Sequence, residues 1–386
     1  MMKKKILSAL GLCLLLVMSF SMIVMAEETT TVTSSSTATK NTTNITTSIA
    51  TPKMSTVTRK GKGKTTISWS KISKASGYQI QYSTSSDYKS AKTVTIGKAS
   101  TTSKSISGMS TSKDTYIRMR AYKKTSSGNL YTKWSANVKI IVWKSSWKYA
   151  KNSKIHSDPA VLYYSSASKK KNITVAVNAG HGCKGGSSKK TLCHPNGSKK
   201  VTGGSTGAGA KYATAINSGT DLKGCSEASA NLKIAKKLKS KLLADGYNVL
   251  MIRQDSNTQL DNIARTVMAN NNAKCHIAIH FDSTSSNKGA FYIGVPNIKS
   301  YRNMQPVKSN YKKHNKLGSC LVSGLKSAGV KVLSSKNIPL DLTQTSYSTI
   351  ASMDIEVGDR ATSTSDKNLN KIANGLLKGV KKYFGK

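Results

Sequence analysis

The sequence predicts a multidomain chain: a β-sandwich, then an α/β domain with a mostly parallel sheet covered by helices on both faces. Three observations carry this reading. Between residues 53 and 144, short segments alternate polar and apolar side chains with period two, and no helical repeat interrupts them. From residue 172 onward, apolar strand-like runs alternate with stretches of helical spacing, the pattern of a sheet layered between helices. Ahead of both, residues 27–52 are nearly all Thr, Ser, Ala and Asn, too polar to offset their ordering entropy, and mark a linker.

The first residues read as a secretory signal. Lys3, Lys4 and Lys5 precede an apolar stretch from Ile6 to Val24, and Met25-Ala26 offers a small-residue cleavage site. A run of that length leaves an uncleaved anchor open, but the ending in Ala26 and the polar tract behind it favour cleavage at residue 26. Cys13 lacks the small residues before it that a lipoprotein anchor needs. The mature protein is expected outside the cytoplasm, secreted or wall-associated, with no membrane partner after cleavage.

Within 53–144 the period-two segments are Thr66–Trp69, Tyr78–Tyr82, Thr93–Ile96, Ser105–Ser107, Tyr116–Tyr122 and Val138–Val142. Trp69, Tyr78 and Tyr116 are the expected core aromatics. This segment resembles a fibronectin type III domain, through Trp69 on an early strand, Gly77-Tyr78 opening the next, and Tyr116–Tyr122 as the late strand. Residues 145–171 read as a second connection. Trp147 and Tyr149 are expected to pack on a neighbouring domain, which would make it a partly ordered hinge.

In 172–386 the strand candidates are 173–178, 247–252, 275–280, 290–295 and 350–357. Ser226 can cap a helix to Ala244 with Leu232, Ala235, Leu238 and Leu242 on its buried stripe, ended by Gly246. Further helices are expected over 261–271, 308–328 and 366–384, the last with Leu369, Ile372, Ala373, Leu376 and Val380 at helical spacing.

Lysine and arginine number 61 against 16 acidic residues, a formal charge of +45. Such an imbalance speaks of partners and solubility rather than fold. No aromatic-basic recognition module accompanies it, which argues against nucleic acid. For an exported protein the matching partners are anionic wall polymers, and a merely solvated surface is the plainer alternative. Beyond the signal the cysteines are Cys183, Cys193, Cys225, Cys275 and Cys320, an odd number with no zinc-ribbon or redox spacing. Cys183 and Cys193 are close enough in sequence to bridge a loop, and the sequence leaves the pairing open.

Three residues constrain the chemistry most. His181 follows the first strand of the α/β part inside Gly180-His181-Gly182, Glu227 opens the first helix, and His280 closes Ile277-Ala278-Ile279. Two imidazoles and one carboxylate from separate elements make the ligand set of an open zinc site, with a position left for water. His276 is no zincin partner for His280, since four residues of strand separate them by about 13 Å. His156, His194 and His314 give no competing pattern; they read as linker, loop and polar helix face. Glu356 shares a strand face with Asp354, opposite Ile355 and Val357. It reads either as a solvated carboxylate or as a general base that takes a proton from water and returns it to a departing amine. Gly203–Gly209 resembles a phosphate loop only superficially, lacking the GK[ST] ending, and reads as a mobile rim of the cleft.

Residues 172–386 resemble the zinc-dependent N-acetylmuramoyl-L-alanine amidases. The matching stretches are Asn178–Gly182, Glu227, Gly246–Val249, Ile252–Asp255, Arg265–Asn270, Ala278–Asp282 and Glu356 before Gly358. The resemblance implies one Zn2+ held by His181, Glu227 and His280, Glu356 as the catalytic carboxylate, and peptidoglycan as substrate. Asn178, Ala278, Asp282 and Asp359 depart from the family pattern, at positions expected to touch the ligands or the substrate. Two rival readings stay open: a non-catalytic wall-binding or adhesion protein, and a zinc peptidase acting on the stem peptide.

Overall fold

The computed structural model describes residues 49–385; the signal segment and nearly all of the 27–52 tract lie outside the described residues. The β-rich part comprises β1 (Met54–Arg59), β2 (Thr65–Trp69), β3 (Gly77–Ser83), β4 (Lys92–Ile96), β5 (Ser103–Ile106), β6 (Thr115–Thr125), β7 (Gly128–Tyr131) and β8 (Val138–Ile141). Strands β1, β2 and β5 form one sheet; β4, β3, β6 and β8 are neighbours in a second, with β7 paired to β6. The inward residues Ile67, Trp69, Tyr78, Ile80, Ile117 and Met119 are buried together. Trp69 meets Tyr78 edge-on at 5.3 Å. Tyr116 departs from expectation. It is out of phase with Ile117 and Met119, so it lies on the outer face, only partly buried, with the Lys139 ammonium 5.1 Å from its ring.

The segment 145–171 also differs from its reading as a hinge. It carries β9 (Ala160–Tyr163), which pairs antiparallel with β8 on one side and with a strand of the α/β part on the other. One sheet therefore runs through both parts of the chain. Four consecutive buried residues show no alternation, so nothing in the sequence separates such a strand from a short apolar loop. The expected aromatic packing is present: Trp147 lies edge-on to Trp143 at 5.8 Å, and Tyr149 to Tyr347 at 5.5 Å.

The α/β part follows as β10 (Thr174–Ala179), β11 (Lys190–Leu192), β12 (Tyr212–Thr214), β13 (Asp221–Leu222), β14 (Cys225–Ser226), α1 (Glu227–Ala244), β15 (Asn248–Met251), α2 (Asn262–Asn272), β16 (Cys275–Asp282) and β17 (Ala290–Gly294). It ends with α3 (Lys299–Asn303), α4 (Val307–Ser327), β18 (Val332–Pro339), α5 (Thr343–Tyr347), β19 (Ala351–Asp359) and α6 (Asp366–Phe384). The strand order β18-β17-β19-β16-β10-β15-β9 is mixed, with parallel neighbours predominating and antiparallel pairs at β17/β19 and β15/β9. β19, β16, β10 and β15 are mutually parallel, whereas β17 runs antiparallel to β19 and β9 to β15. A short stretch joins β16 to β17, too little for the dozen or more residues that a parallel crossover needs. Strand β18 falls outside the strand candidates, because Ser334, Ser335, Lys336 and Asn337 give this edge strand no apolar alternation.

Helices cover both faces, as the pattern implied. Buried residues of α1, α4 and α6 join Val175, Val177, Ile277, Ile279 and Ile355 in one cluster. On the other face Ala264, Met268 and Ala269 of α2 pack with Ala176 and Leu250. Ser226 caps α1 by accepting from the Ser229 N–H, and Asp261 caps α2 by accepting from the Ala264 N–H at 2.7 Å. Leu232 is only partly buried; the α1 stripe runs through Ala230, Ile234, Ala235, Leu238 and Leu242 instead. His314 is wholly buried on α4, not on a polar face, and its Nδ1 accepts from the Ser352 N–H at 2.9 Å.

The two parts are joined by polar contacts as well as by β9. The Tyr163 hydroxyl donates to Gln254 Oε1 at 2.9 Å and accepts from the Val57 N–H at 2.8 Å, while Gln254 Nε2 donates to Val57 O at 2.7 Å. Lys239 of α1 donates to Ser55 O and sits 4.2 Å from the Tyr163 ring. Burial pulls its ammonium down to about 8 from 10.5. Across that window the unfolded chain binds more protons than the folded one, so this site's contribution to stability rises with pH. Thermal melts of wild type and Lys239→Met between pH 7 and pH 10 should show the wild type gaining on the variant as pH rises; parallel curves would refute the assignment.

Candidate active site

The site is assembled where β10, β16 and β19 end, at the carboxyl edge of the parallel strands, where α/β sheets place functional groups. Strand β10 hands the chain to Gly180 and His181, and His181 takes a left-handed conformation with φ 61. A side-chain-bearing residue rarely sits there without being held. Two buried guanidiniums hold it. Arg253 donates from Nε to Ala179 O at 3.0 Å, and from Nη2 to Gly180 O at 2.9 Å and Ala228 O at 2.7 Å. Arg265 donates from Nη1 to Ala179 O at 3.0 Å and from Nη2 to His181 O at 2.7 Å. The turn thus has its carbonyls fixed, and the imidazole lines the cleft.

The three expected ligands converge. His181 Nε2 lies 2.8 Å from Glu227 Oε1, and His280 Nδ1 lies 3.0 Å from both atoms. His181 Nδ1 sits 3.0 Å from the Asn217 carbonyl, which can only accept, so the proton is on Nδ1 and the Nε2 lone pair faces the other two donors. Glu227 is further held by the Thr220 N–H at 3.0 Å, the Phe281 N–H at 3.1 Å and Asn231 Nδ2 at 3.2 Å. Burial opposes its ionisation, but the adjacent His181 and His280 imidazoles outweigh that and hold the carboxyl far below its usual range. A tetrahedral ion with bonds of ~2.0–2.2 Å separates its donors by about 3.4 Å. The three atoms therefore need to part by only a few tenths of an ångström, and the nitrogen and oxygen set suits zinc.

Glu356 stands beside them, its strand position opposite His280. Its Oε2 is buried without a hydrogen-bond partner, as is Asp354 Oδ1. Burial, reinforced by the Asp354 charge, pushes Glu356 well above the ordinary carboxylate range. Burial raises Asp354 too, with His280 opposing it. His280 is pushed up to about 10: burial lowers it, but Asp354, Glu227 and Glu356 together prevail. This floor is built to receive positive charge. Above it lies a cleft of about 600 Å³ lined by all four site residues and by Gly203, Gly204, Ser205 and Thr206.

Residues 203–206, expected at the rim of the cleft, do line it, and the insertion between β10 and α1 is anchored beside them. Strands β11 and β12 pair antiparallel. Asp341 is buried and accepts from His194 Nε2 at 3.1 Å, Lys200 Nζ at 2.9 Å and the Val201 N–H at 2.7 Å, with Thr202 close by. His194 lies in a loop, as expected, and makes a structural contact there. Of the departures from the family pattern, Asn178 accepts from Arg265 at 3.1 Å and Asp282 pairs with Lys288 at 2.8 Å. Asp359 does not face substrate: it is buried and accepts from the Lys288 and Ala361 N–H groups. Cys183, Cys193, Cys225, Cys275 and Cys320 are free thiols. No helix among the described residues is long and apolar enough to cross a membrane.

Such a donor set beside a buried carboxylate, in a cleft at a sheet edge, defines the class: a metal-dependent amide hydrolase on an α/β scaffold. The family model for N-acetylmuramoyl-L-alanine amidase matches residues 175–382. The chain belongs to that family, whose zinc dependence is known, and it is an N-acetylmuramoyl-L-alanine amidase. Among solved structures, the apo N-acetylmuramyl-L-alanine amidase Ami1 of Mycobacterium abscessus is 18% identical, with a TM-score of 0.43 over 56% of this chain and 100% of that one. The CwlD amidase of Clostridioides difficile, solved in complex with the GerS lipoprotein, is 20% identical, with a TM-score of 0.40 over 55% and 99%. A Fn3-like protein from Clostridium thermocellum is 22% identical, with a TM-score of 0.20 over 23% and 88%. No curated protein matches the chain.

Sequence reasoning misses Gly219. At φ 85 it lies so close that a Cβ would meet His181 Cδ2 at 2.7 Å and Glu227 Oε2 at 2.8 Å. Gly219→Ala should lower zinc affinity by about tenfold or more, read by competition with a chromogenic chelator. Unchanged affinity would mean that the ligands tolerate displacement.

Proposed function

We propose that the chain is a secreted peptidoglycan hydrolase that uses one zinc ion to cut the amide joining the lactyl group of N-acetylmuramic acid to L-alanine. The observation that carries this is the convergence of His181 Nε2, Glu227 Oε1 and His280 Nδ1 within 2.8–3.0 Å of one another beside Glu356. His181, Glu227 and His280 would hold the ion, which when bound supplies a Lewis acid that polarises the amide carbonyl and makes water acidic. Glu356, with a free oxygen at the cleft floor, takes the proton from the attacking water and passes it to the departing alanine nitrogen. Burial and the Asp354 charge raise its affinity for a proton, which suits the first of these transfers. The Arg253 and Arg265 contacts keep the ligand turn from relaxing as substrate enters.

The β-rich part is read as fibronectin type III-like, supported by its three-stranded sheet facing the β4-β3-β6-β8 sheet. Continuous with the catalytic sheet, it serves as a rigid spacer or wall contact. The +45 formal charge supports retention on anionic wall polymers, and the basic signal with its apolar run supports export.

Purified wall incubated with the protein should release peptides with new N-terminal alanine and glycans bearing free lactyl groups. A different new amine would instead indicate a stem-peptide peptidase. Wall affinity without any cleavage or bound metal would indicate a non-catalytic binder. Glu356→Gln should lose about 10²–10⁴-fold in turnover while keeping its zinc. Full activity in that variant removes Glu356 from the mechanism.

A further inference from the structure

We infer that Asp354 is the positioning residue of His280, accepting its Nε2–H so that the Nδ1 lone pair stays aimed at the metal position. This rests on the zinc reading above.

A histidine that gives one ring nitrogen to a metal needs an acceptor at the other, to set tautomer and ring orientation. His181 has one, since its Nδ1 faces the Asn217 carbonyl at 3.0 Å. His280 presents Nδ1 to the other two ligands, which turns Nε2 towards the sheet floor. What faces Nε2 there is Asp354 Oδ2, at 3.7 Å. Strand register puts it there. Glu356 is the cross-strand partner of His280, and Asp354 that of Ala278, so the two carboxylates share the face of the imidazole. Closing 3.7 Å to a charge-assisted bond of ~2.8 Å takes a shift of under about 1 Å.

Stability gives no reason for this carboxylate. Its side chain is only 15% exposed, Oδ1 has no hydrogen-bond partner, and among the described residues its ion-pair partner is His280 alone. A buried carboxylate so poorly satisfied weakens the fold. It is explained if its partner is an imidazole that must be oriented.

The test compares wild type with Asp354→Asn and Asp354→Leu in the full chain. Zinc affinity is measured by competition with a chromogenic chelator, and the melting temperature of the zinc-free protein is measured alongside. Both variants should bind zinc about 10–100-fold more weakly, while the zinc-free protein melts at the same temperature or higher. A residue serving structure alone would lower that melting temperature instead. The inference is overturned by zinc affinity within about twofold of wild type, or by zinc-free variants that both melt lower. Wild type that takes up no zinc sinks the zinc reading and this inference with it. Wild type that binds zinc beside an unaffected Asp354→Asn sinks the inference alone.

Discussion

Two buried guanidiniums gripping the carbonyls of Ala179, Gly180 and His181 are the contact on which the cleft depends. The backbone at His181 is left-handed, and such a conformation persists only where its surroundings over-determine it. Arg253 reaches from the end of β15 and Arg265 from α2, so the turn is fixed by elements on both sides of β10. Arg253 also binds Ala228 O, tying the ligand turn to the start of the helix that carries Glu227. One side chain thereby ties together the backbones next to His181 and Glu227. Gly182 leaves room for it, since a Cβ there would lie 2.7 Å from Arg253 Nη1.

The distribution of charge is as informative as the donor geometry. The chain has only 16 acidic residues, yet Glu227, Asp282, Asp354 and Glu356 all line one cleft. On so basic a protein such a gathering runs against the surface average, and it is tolerable where a dication offsets it. Sheet continuity through β9 adds a mechanical consequence: the β-rich part cannot swing independently of the strands that carry His181 and His280 without breaking ladder hydrogen bonds.

Much of this is legible in the sequence because the signals are local. The helix over 227–244 announces itself by the capping Ser226 and that over 366–384 by its spaced apolar stripe, and both form there. The three ligands stand out because each follows or opens a strongly patterned element. Tyr116 misleads because an aromatic on a strand looks like core until its phase against Ile117 and Met119 is known. His314 misleads because its polar neighbours suggest an exposed face, whereas its burial depends on the Ser352 N–H, distant in sequence. β9 and β18 give no signal because a strand buried on both faces and a polar edge strand both lack alternation.

The sequence alone determined the amphipathic helices, most of the central strands and which side chains are candidates for the chemistry, because capping, periodicity and residue type act over a few positions along the chain. Tertiary structure decided how those side chains face one another: that His280 turns Nδ1 to the ligands and Nε2 to Asp354, that two arginines secure the His181 turn, and that the β-rich part shares a sheet with the catalytic part. Each depends on strand register and on contacts between residues scores of positions apart. A one-residue slip in register would exchange every face.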